Sequence, residues 1–336
     1  MSKKKLDYGE LLFLTKKEVE SVTTYKEVLE ACDNAFKWIN QGKLKQEISK
    51  NIEIDGPKPY FLKSHGAWIQ PYGVVGQKWG GICRPNPARG LPYGNAVAVL
   101  NDADTLAPIA FMDGISITQM RTAGHAAVGA KYLAKKNSSV IAIMGCGAEG
   151  RSHLRMMNEL FKIKEVRAFD ISKEAMDKYV KEMGSELKLN VQAVSSAEKA
   201  VRGADVVCMI TSASEPVVFD KWIEAGTHVC ATVAFADLDA KFSQTADKWV
   251  LGNWERDLLW VEGVEMYKDE RAKLIKRENV YASLDEIANG KKPGRESDSE
   301  RTIMTHYGMG ALDVAAAYVA YKNAMERGVG TRIRLY

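Results

Sequence analysis

Val140-Ile-Ala-Ile-Met-Gly-Cys-Gly-Ala-Glu-Gly150 is the stretch that decides the fold. Five apolar residues form a strand and run into a Gly-x-Gly-x-x-Gly turn. Arg151 to Leu160 continues as a helix, and Glu165-Val-Arg-Ala-Phe-Asp170 follows as a second strand ending in an acid. A dinucleotide-binding βαβ unit needs this order. Gly145 permits the tight turn, Gly147 lets the backbone approach a pyrophosphate, and Gly150 lets helix and strand pack closely. Ala148 and Glu149 open the helix, whose free N–H groups and partial positive charge face the phosphates. Asp170 lies twenty residues past Gly150, where a carboxylate accepts hydrogen bonds from an adenosine ribose. It would repel a 2′-phosphate there, so NAD(H) is favoured over NADP(H).

The 336 residues suit one large or two ordinary domains, with 46% hydrophobic content and a net charge of +4. The mild, dispersed charge argues against a nucleic-acid partner, and Lys3-Lys4-Lys5 reads as a solvated terminus. Cys32, Cys83, Cys146, Cys208 and Cys230 are scattered without a Cys-x-x-Cys pair, so neither a disulfide framework nor a zinc site is expected. His65, His153 and His306 are not spaced as metal ligands. No apolar run approaches ~18 residues and no signal-peptide core opens the chain, so no membrane partner is expected and cytoplasmic localisation is the default.

Outward from the central motif, helices and strands alternate. Thr24-Tyr-Lys-Glu27 is a capping box before a helix with apolar residues at Val28, Leu29, Cys32, Ala35, Phe36 and Ile39. Residues 50–112 read as strands and loops, including Ala96–Leu100 and Ile109–Met112 around an Asn101-Asp-Ala-Asp turn. An Ala- and Gly-rich helix follows over Ile117–Leu133. Past Asp170 come a helix at Ser172–Met183, a short strand at Val191–Val194, a helix at Ala197–Val201, and strands at Ala204–Thr211, His228–Val233 and Lys248–Leu251. The continuous apolar character of Ala204–Thr211 suits a parallel sheet covered on both faces. A last helix spans Ala311–Arg327 and closes at Gly328. The expected fold is α/β: a Rossmann-type doubly wound parallel sheet at 137–304, plus a second α+β domain built from both chain ends, 1–136 and 305–336.

Five segments together resemble the ornithine cyclodeaminase/mu-crystallin family. They are Gly145–Gly150, Met112-Asp-Gly-Ile-Ser-Ile-Thr-Gln-Met-Arg-Thr-Ala-Gly124, Ala204–Pro216, Gly290-Lys-Lys-Pro-Gly-Arg295 and Gly308-Met-Gly-Ala-Leu-Asp313. The resemblance covers nearly the whole chain. It implies a homodimer whose first domain binds substrate and forms the dimer contact, with an amino acid, imine or oxo acid as substrate.

It also implies residue roles. Arg121, placed near the start of a helix where the dipole favours anions, would hold an α-carboxylate in its planar fork. Lys78, in Val75-Gly-Gln-Lys-Trp79, would face the substrate. As an ammonium it pairs with a carboxylate or polarises a carbonyl; with burial it could also shuttle a proton, and the alternative is an exposed loop lysine. The family's N-terminal arginine has no clear counterpart, leaving Lys50 or Lys45 to substitute without bidentate geometry. Thr122, Thr211, Ser212, Val233 and Asp313 complete the implied cofactor set. Asp313, at the start of the closing helix, would lie beside the cofactor pocket or act as an N-terminal capping acid. The loop Ala234-Phe-Ala-Asp-Leu-Asp239 is shorter than the cyclodeaminase loop carrying a catalytic aspartate. Asp237 is the nearest acid, open between catalysis and helix capping, while Asp239 belongs to the following turn. His65 reads as a satisfied loop histidine, with an acid/base facing the substrate as the alternative, and His153 as a packing residue. Trp68, Trp79, Tyr72 and Tyr93 suit an aromatic pocket wall or core, and the aromatic tract 253–260 suits a lid, a dimer contact or plain packing.

The function expected from these features is an NAD(H)-dependent oxidoreductase acting on the C–N bond of an amino acid or its imine. Alternatives are a cyclodeaminase with recycled NAD and a non-enzymatic dinucleotide binder.

Overall fold

The computed structural model describes residues 7–48, 51–56, 60–232, 234–255, 257 and 270–336. Two compact units emerge, one from residues up to Arg121 with Gly308–Tyr336, the other from Thr122–Tyr307. The boundary falls inside a helix, whereas the sequence reading sets it after that helix.

The first unit is built on a mixed sheet. Its strands are β1 (Glu10–Leu14), β2 (Leu44–Gln46), β3 (Asn51–Glu53), β4 (Tyr60–Ile69), β5 (Val74–Cys83), β6 (Gly94–Asp102) and β7 (Pro108–Asp113), with a C-terminal strand at Thr331–Arg334. The order is C-terminal strand–β1–β7–β6–β5–β4–β2, and β3 also pairs with β4. β4 and β5 form a long hairpin around Gln70-Pro-Tyr-Gly73, where Gly73 takes a left-handed φ of 65°. Their register sets His65 opposite Lys78. Along β5, Val74, Gly76, Lys78 and Gly80 alternate onto the buried face, the period-2 pattern of a half-buried strand. Helices α1 (Lys16–Val22) and α2 (Tyr25–Asn40) each start on a capping box, from Thr15–Glu18 and Thr24–Glu27. The closing helix, Gly310–Arg327, packs against α2, β4 and β5. Gly310 sits so close to β4 that a Cβ there would lie 2.4 Å from the Gly66 carbonyl oxygen.

Helix α3 (Gly114–Leu133) spans the boundary. Its C-terminal carbonyls are capped by the Gly294-Arg295 pair. Arg295 Nε donates to the Leu133 carbonyl at 2.6 Å, and a Cβ on Gly294 would meet the Tyr132 carbonyl oxygen at 2.4 Å.

The second unit holds β8 (Val140–Met144), β9 (Glu165–Phe169), β10 (Val191–Ala193), β11 (Val206–Met209), β12 (His228–Ala231), β13 (Lys248–Leu251), β14 (Val280–Ser283) and β15 (Thr302–Thr305). The order is β10–β9–β8–β11–β12–β15–β13–β14, and every pairing is parallel. The order reverses between β8 and β11, the switch point at which a doubly wound sheet opens a ligand crevice beyond its strand ends. Helix α4 (Ala148–Asn158) follows β8, and α5 (Lys173–Leu187) follows β9 on a Ser172 cap. Both faces of β11 and β12 are buried, which explains their unbroken apolar sequence. Met144, Val207, Met209, Val229, Ala231, Phe235 and Trp249 belong to one core cluster. Each Met, Val or Phe among them contributes roughly 1.5–3 kcal/mol of burial. Asp205 fixes the sheet's start: its Oδ2 accepts from the Ser139 and Val140 N–H groups and its Oδ1 pairs with Lys135. Among the described residues no helix is long and apolar enough to cross a membrane.

Candidate active site

In the first unit, side chains far apart in sequence converge on Asp313. Its Oδ1 accepts from Lys78 Nζ at 2.8 Å and from Arg121 Nε at 2.7 Å. Asp313 is completely buried, and the two cations nearly so. The cations hold its carboxyl well below the usual carboxylate range, overcoming the opposite push of burial. Arg121 lies about two turns into α3, so the expectation of a place at the helix start is corrected: its selectivity for anions comes from its own charge and fork, with no help from the dipole. Asp313 engages only Nε; among the described residues Nη1 and Nη2 carry no hydrogen bond. That edge suits the two oxygens of a carboxylate. Lys78 is a buried strand residue, which removes the loop alternative. Asp313, expected beside the cofactor pocket or as a capping acid, ties these two cations together.

His65 is also corrected, from loop to strand. It lies on β4, 1% exposed, and burial with Lys78, Lys63 and Arg121 nearby lowers it to about 2, against the opposing pull of Asp313. It is therefore a neutral imidazole at physiological pH. Gly308 keeps space beside it: a Cβ there would lie 3.2 Å from His65 Cε1 and 3.3 Å from Arg121 Nη2. Tyr72 stacks on Tyr318 at 4.1 Å and meets the edge of Trp38, so it is a packing residue, whereas Trp79 and Tyr93 are exposed.

In the second unit, the glycine-rich turn has the geometry its sequence requires. Gly145 takes φ +106°, and a Cβ there would lie 2.5 Å from the Ile210 carbonyl oxygen. A Cβ on Gly150 would lie 2.2 Å from the Gly145 carbonyl oxygen, so helix and turn touch. By contrast a Cβ on Gly147 meets nothing within 4 Å. Gly147 and Ala148 are exposed at the N-terminus of α4, so the open face of the turn has room for a phosphate group. Asp170 accepts from the Cys146 N–H (2.8 Å) and the Ser172 N–H (2.9 Å), which fixes its carboxylate beside the turn. Ile171, next to it, is 97% exposed.

A brace for this turn was not foreseen from sequence. Arg151 Nη1 donates to the Cys146 and Gly147 carbonyls (2.6 and 3.0 Å), and its Nε donates to Glu182 on α5 (2.7 Å). Tyr179, one turn earlier on α5, donates its hydroxyl to the Gly150 carbonyl at 3.1 Å. The signal was present as Tyr179 and Glu182 at helical spacing. His153 packs as expected: it is fully buried, its Nδ1 lies 2.8 Å from the Glu149 carbonyl, and burial lowers it to about 4.

Thr211 follows β11 and bonds to Asp237, while Ser212 is exposed and Thr122 is buried on α3. Asp237 is fully buried, and burial raises it to about 6. Its role is open in the sequence between catalysis and helix capping; the structure leaves it no exposed surface and bonds its carboxylate to the Thr211 hydroxyl. Asp239 accepts from the Asp220 and Lys241 N–H groups, the turn role expected of it. Lys50 and Val233 lie outside the described residues, as does half of the tract 253–260. Within that tract Trp254 donates to Glu286 at 2.8 Å, a packing role.

The sequence profile of the ornithine cyclodeaminase/mu-crystallin family matches residues 10–328. Alanine dehydrogenase of Archaeoglobus fulgidus is 34% identical over 331 residues, covering 97% of this chain and 99% of that protein. Among solved structures, Thermococcus litoralis Δ1-pyrroline-2-carboxylate reductase, in complex with NADH and L-proline, superposes with a TM-score of 0.89 at 31% identity, over 96% of this chain and 100% of that one. An archaeal alanine dehydrogenase dimer with bound NAD gives 0.88 at 33% identity, over 97% and 100%. A converging lysine, arginine and aspartate in one unit, a glycine-rich turn on a parallel sheet in the other, and these full-length likenesses lead to one conclusion: the chain belongs to the ornithine cyclodeaminase/mu-crystallin family.

Proposed function

We propose that the chain is an NAD(H)-dependent oxidoreductase acting on the C–N bond of an amino acid or its imine. The observation that carries this reading is the Lys78–Asp313–Arg121 cluster. A protein that only held a dinucleotide would have no use for a buried pair of cations with one guanidinium edge unbonded.

Arg121 binds the substrate carboxylate through Nη1 and Nη2 while Asp313 holds Nε, which fixes the plane of the fork. Lys78 is held as a hydrogen-bond donor by the same carboxylate. It directs N–H toward the nitrogen or oxygen on the α-carbon, gives up a proton as that atom becomes more basic, and takes one back in the reverse direction. His65, neutral and buried, adds no charge to compete for the substrate carboxylate. The nicotinamide dinucleotide, when bound, supplies or accepts the hydride. Gly147, Ala148 and the α4 N-terminus would hold its pyrophosphate, and Asp170 its adenosine ribose, which favours NAD(H) over NADP(H) because a 2′-phosphate would meet a carboxylate already fixed in place. The NADH–proline complex of the reductase and the NAD-bound dimer of the dehydrogenase support the cofactor, the substrate class and a homodimeric assembly.

The cyclodeaminase alternative needs an acid that reaches the substrate, and the acid it relied on, Asp237, is sealed in the core. The test is a spectrophotometric assay of NADH and NADPH oxidation. The panel pairs 2-oxo acids with ammonia, methylamine or amino acids, and adds cyclic imines and L-ornithine, with ammonia quantified. Oxidation of NADH by an imine or an oxo-acid/amine pair, faster than that of NADPH, is the expected result. Ammonia release from ornithine without net NADH change would overturn the reading.

A further inference from the structure

Thr211 and Asp237 lie beyond the carboxyl ends of β11 and β12, the side of a doubly wound sheet where ligands bind. The Thr211 hydroxyl donates its hydrogen to Asp237 Oδ2 (2.7 Å) and accepts from the Ala213 N–H (3.1 Å). A hydroxyl owns one hydrogen and two lone pairs. While Asp237 is ionised, that hydrogen is committed and Thr211 has nothing to donate to a ligand.

Among the described residues, the surroundings of Asp237 isolate this pair. Its side chain is fully buried, and Oδ1 has no hydrogen-bond partner among the described residues. Its main chain is locked: the Asp237 carbonyl accepts from Val217 N–H (2.8 Å) and Val218 N–H (3.3 Å), beside a Val218–Leu238 bridge. Val218, Phe235 and Leu238 belong to the apolar cluster around it. Arg271, the neighbouring cation, spends Nη1 on the Ser214 and Ala236 carbonyls and lies 3.9 Å from Glu215. Asp239 is turned to backbone N–H groups, as described. Burial pushes Asp237 up to about 6, and only the Thr211 hydroxyl and the N–H groups of Asp237 and Thr211 pull it back.

We propose that Asp237 is a positioning residue that sets the hydrogen-bond direction of Thr211, and that it takes up a proton when the dinucleotide binds. Protonated, its carboxyl O–H donates to Thr211 Oγ1. The Thr211 hydrogen is then released toward an acceptor oxygen of the bound cofactor. No covalent bond changes; one proton moves from solvent to Asp237. The inference rests on the dinucleotide reading above, but not on which substrate is turned over.

Calorimetry of NADH binding to the whole protein, in two buffers of different ionisation enthalpy, tests it. With the free carboxyl near 6 and a shift of about one unit on binding, uptake of roughly half a proton per site is expected near pH 6.5, fading by pH 8.5. Affinity for NADH should rise about sevenfold from pH 8 to 5.5. Asp237→Asn places a permanent N–H donor on Thr211, so both the uptake and the pH dependence should vanish while binding stays tight. Thr211→Val should also lose the uptake, with weaker binding; it serves alone if the Asp237 variant does not fold. Uptake unchanged in either variant, or pH-independent affinity in the wild type, would overturn the inference. Absence of NADH binding at every pH would instead remove the dinucleotide reading, and this one with it.

Discussion

Replacing Asp313 by Asn tests the substrate side most directly. The substitution preserves shape and removes one buried negative charge that two cations share at 2.8 and 2.7 Å. At an effective dielectric of about 20, each contact is worth about 6 kcal/mol of Coulomb attraction, much of it offset by the desolvation of the ions. Removing one member of a buried ion pair typically costs about 3–5 kcal/mol, because the remaining charge is left uncompensated. Here two charges are left, so the upper part of that range is expected. The same vacancy of charge should make the variant hungry for anions. Guanidinium-free urea unfolding, followed by circular dichroism in about 0.1 M sodium propionate or about 0.1 M sodium chloride, compares the two effects at one ionic strength. The wild type should gain little from propionate, and the variant should recover at least about 1 kcal/mol of its loss. A variant as stable as the wild type, or one indifferent to propionate, would refute the assignment of Asp313 as the anion that the two cations share.

Other predictions concern acid stability, the guanidinium fork and the glycine-rich turn. His65, His153 and His228 are buried and lowered to about 2, 4 and 3. Their contribution is complete above the unfolded value of 6.5 and is lost as pH falls, by about 2 kcal/mol each at pH 5, while Asp237 returns about 1 kcal/mol. Urea midpoints that stay level from pH 8 to 5 would exclude this. Arg121→Lys keeps the charge and loses the fork, so KM for the carboxylate substrate should rise about 10–100-fold with a smaller change in kcat, as steady-state kinetics will show. Gly147→Ala should fold with an unchanged melting temperature yet lose at least about tenfold in NADH affinity, because its Cβ fills space that is open only without ligand. Gly150→Ala should instead lower the melting temperature, since its Cβ collides with the Gly145 carbonyl.

The dinucleotide unit was legible because its determinants are local. Strand, turn, helix and acid lie within Val140–Asp170, and periodicity plus glycine chemistry describe them there. Strand ends were overdrawn, as at Ala204–Thr211 against Val206–Met209, because apolar runs outlast the ladder. The substrate side was legible only as single residues. Lys78, Arg121 and Asp313 come from a strand and two helices, and no spacing in the chain announces that one carboxylate joins them. That is why Asp313 read as a cofactor neighbour and Arg121 as a helix-start residue. The first strand and the C-terminal strand went unnoticed, although Glu10-Leu-Leu-Phe-Leu14 followed by the Thr15–Glu18 capping box marks a strand running into a helix.

Gly76 and Gly310 occupy places in the first unit where a methyl group would strike the Val99 and Gly66 carbonyl oxygens, at 2.7 and 2.4 Å, and Val314 of the closing helix lies 3.3 Å from the Gly76 position. They let the closing helix settle on the hairpin that carries Lys78, and so they set how far Asp313 can reach. In a saturation screen scored by growth or turnover, these two positions should rank as intolerant as Lys78 itself, although neither has an atom that could react. The shape of this cluster is inherited from missing side chains, and a redesign that fills those gaps would change its dimensions before it touched a single polar contact.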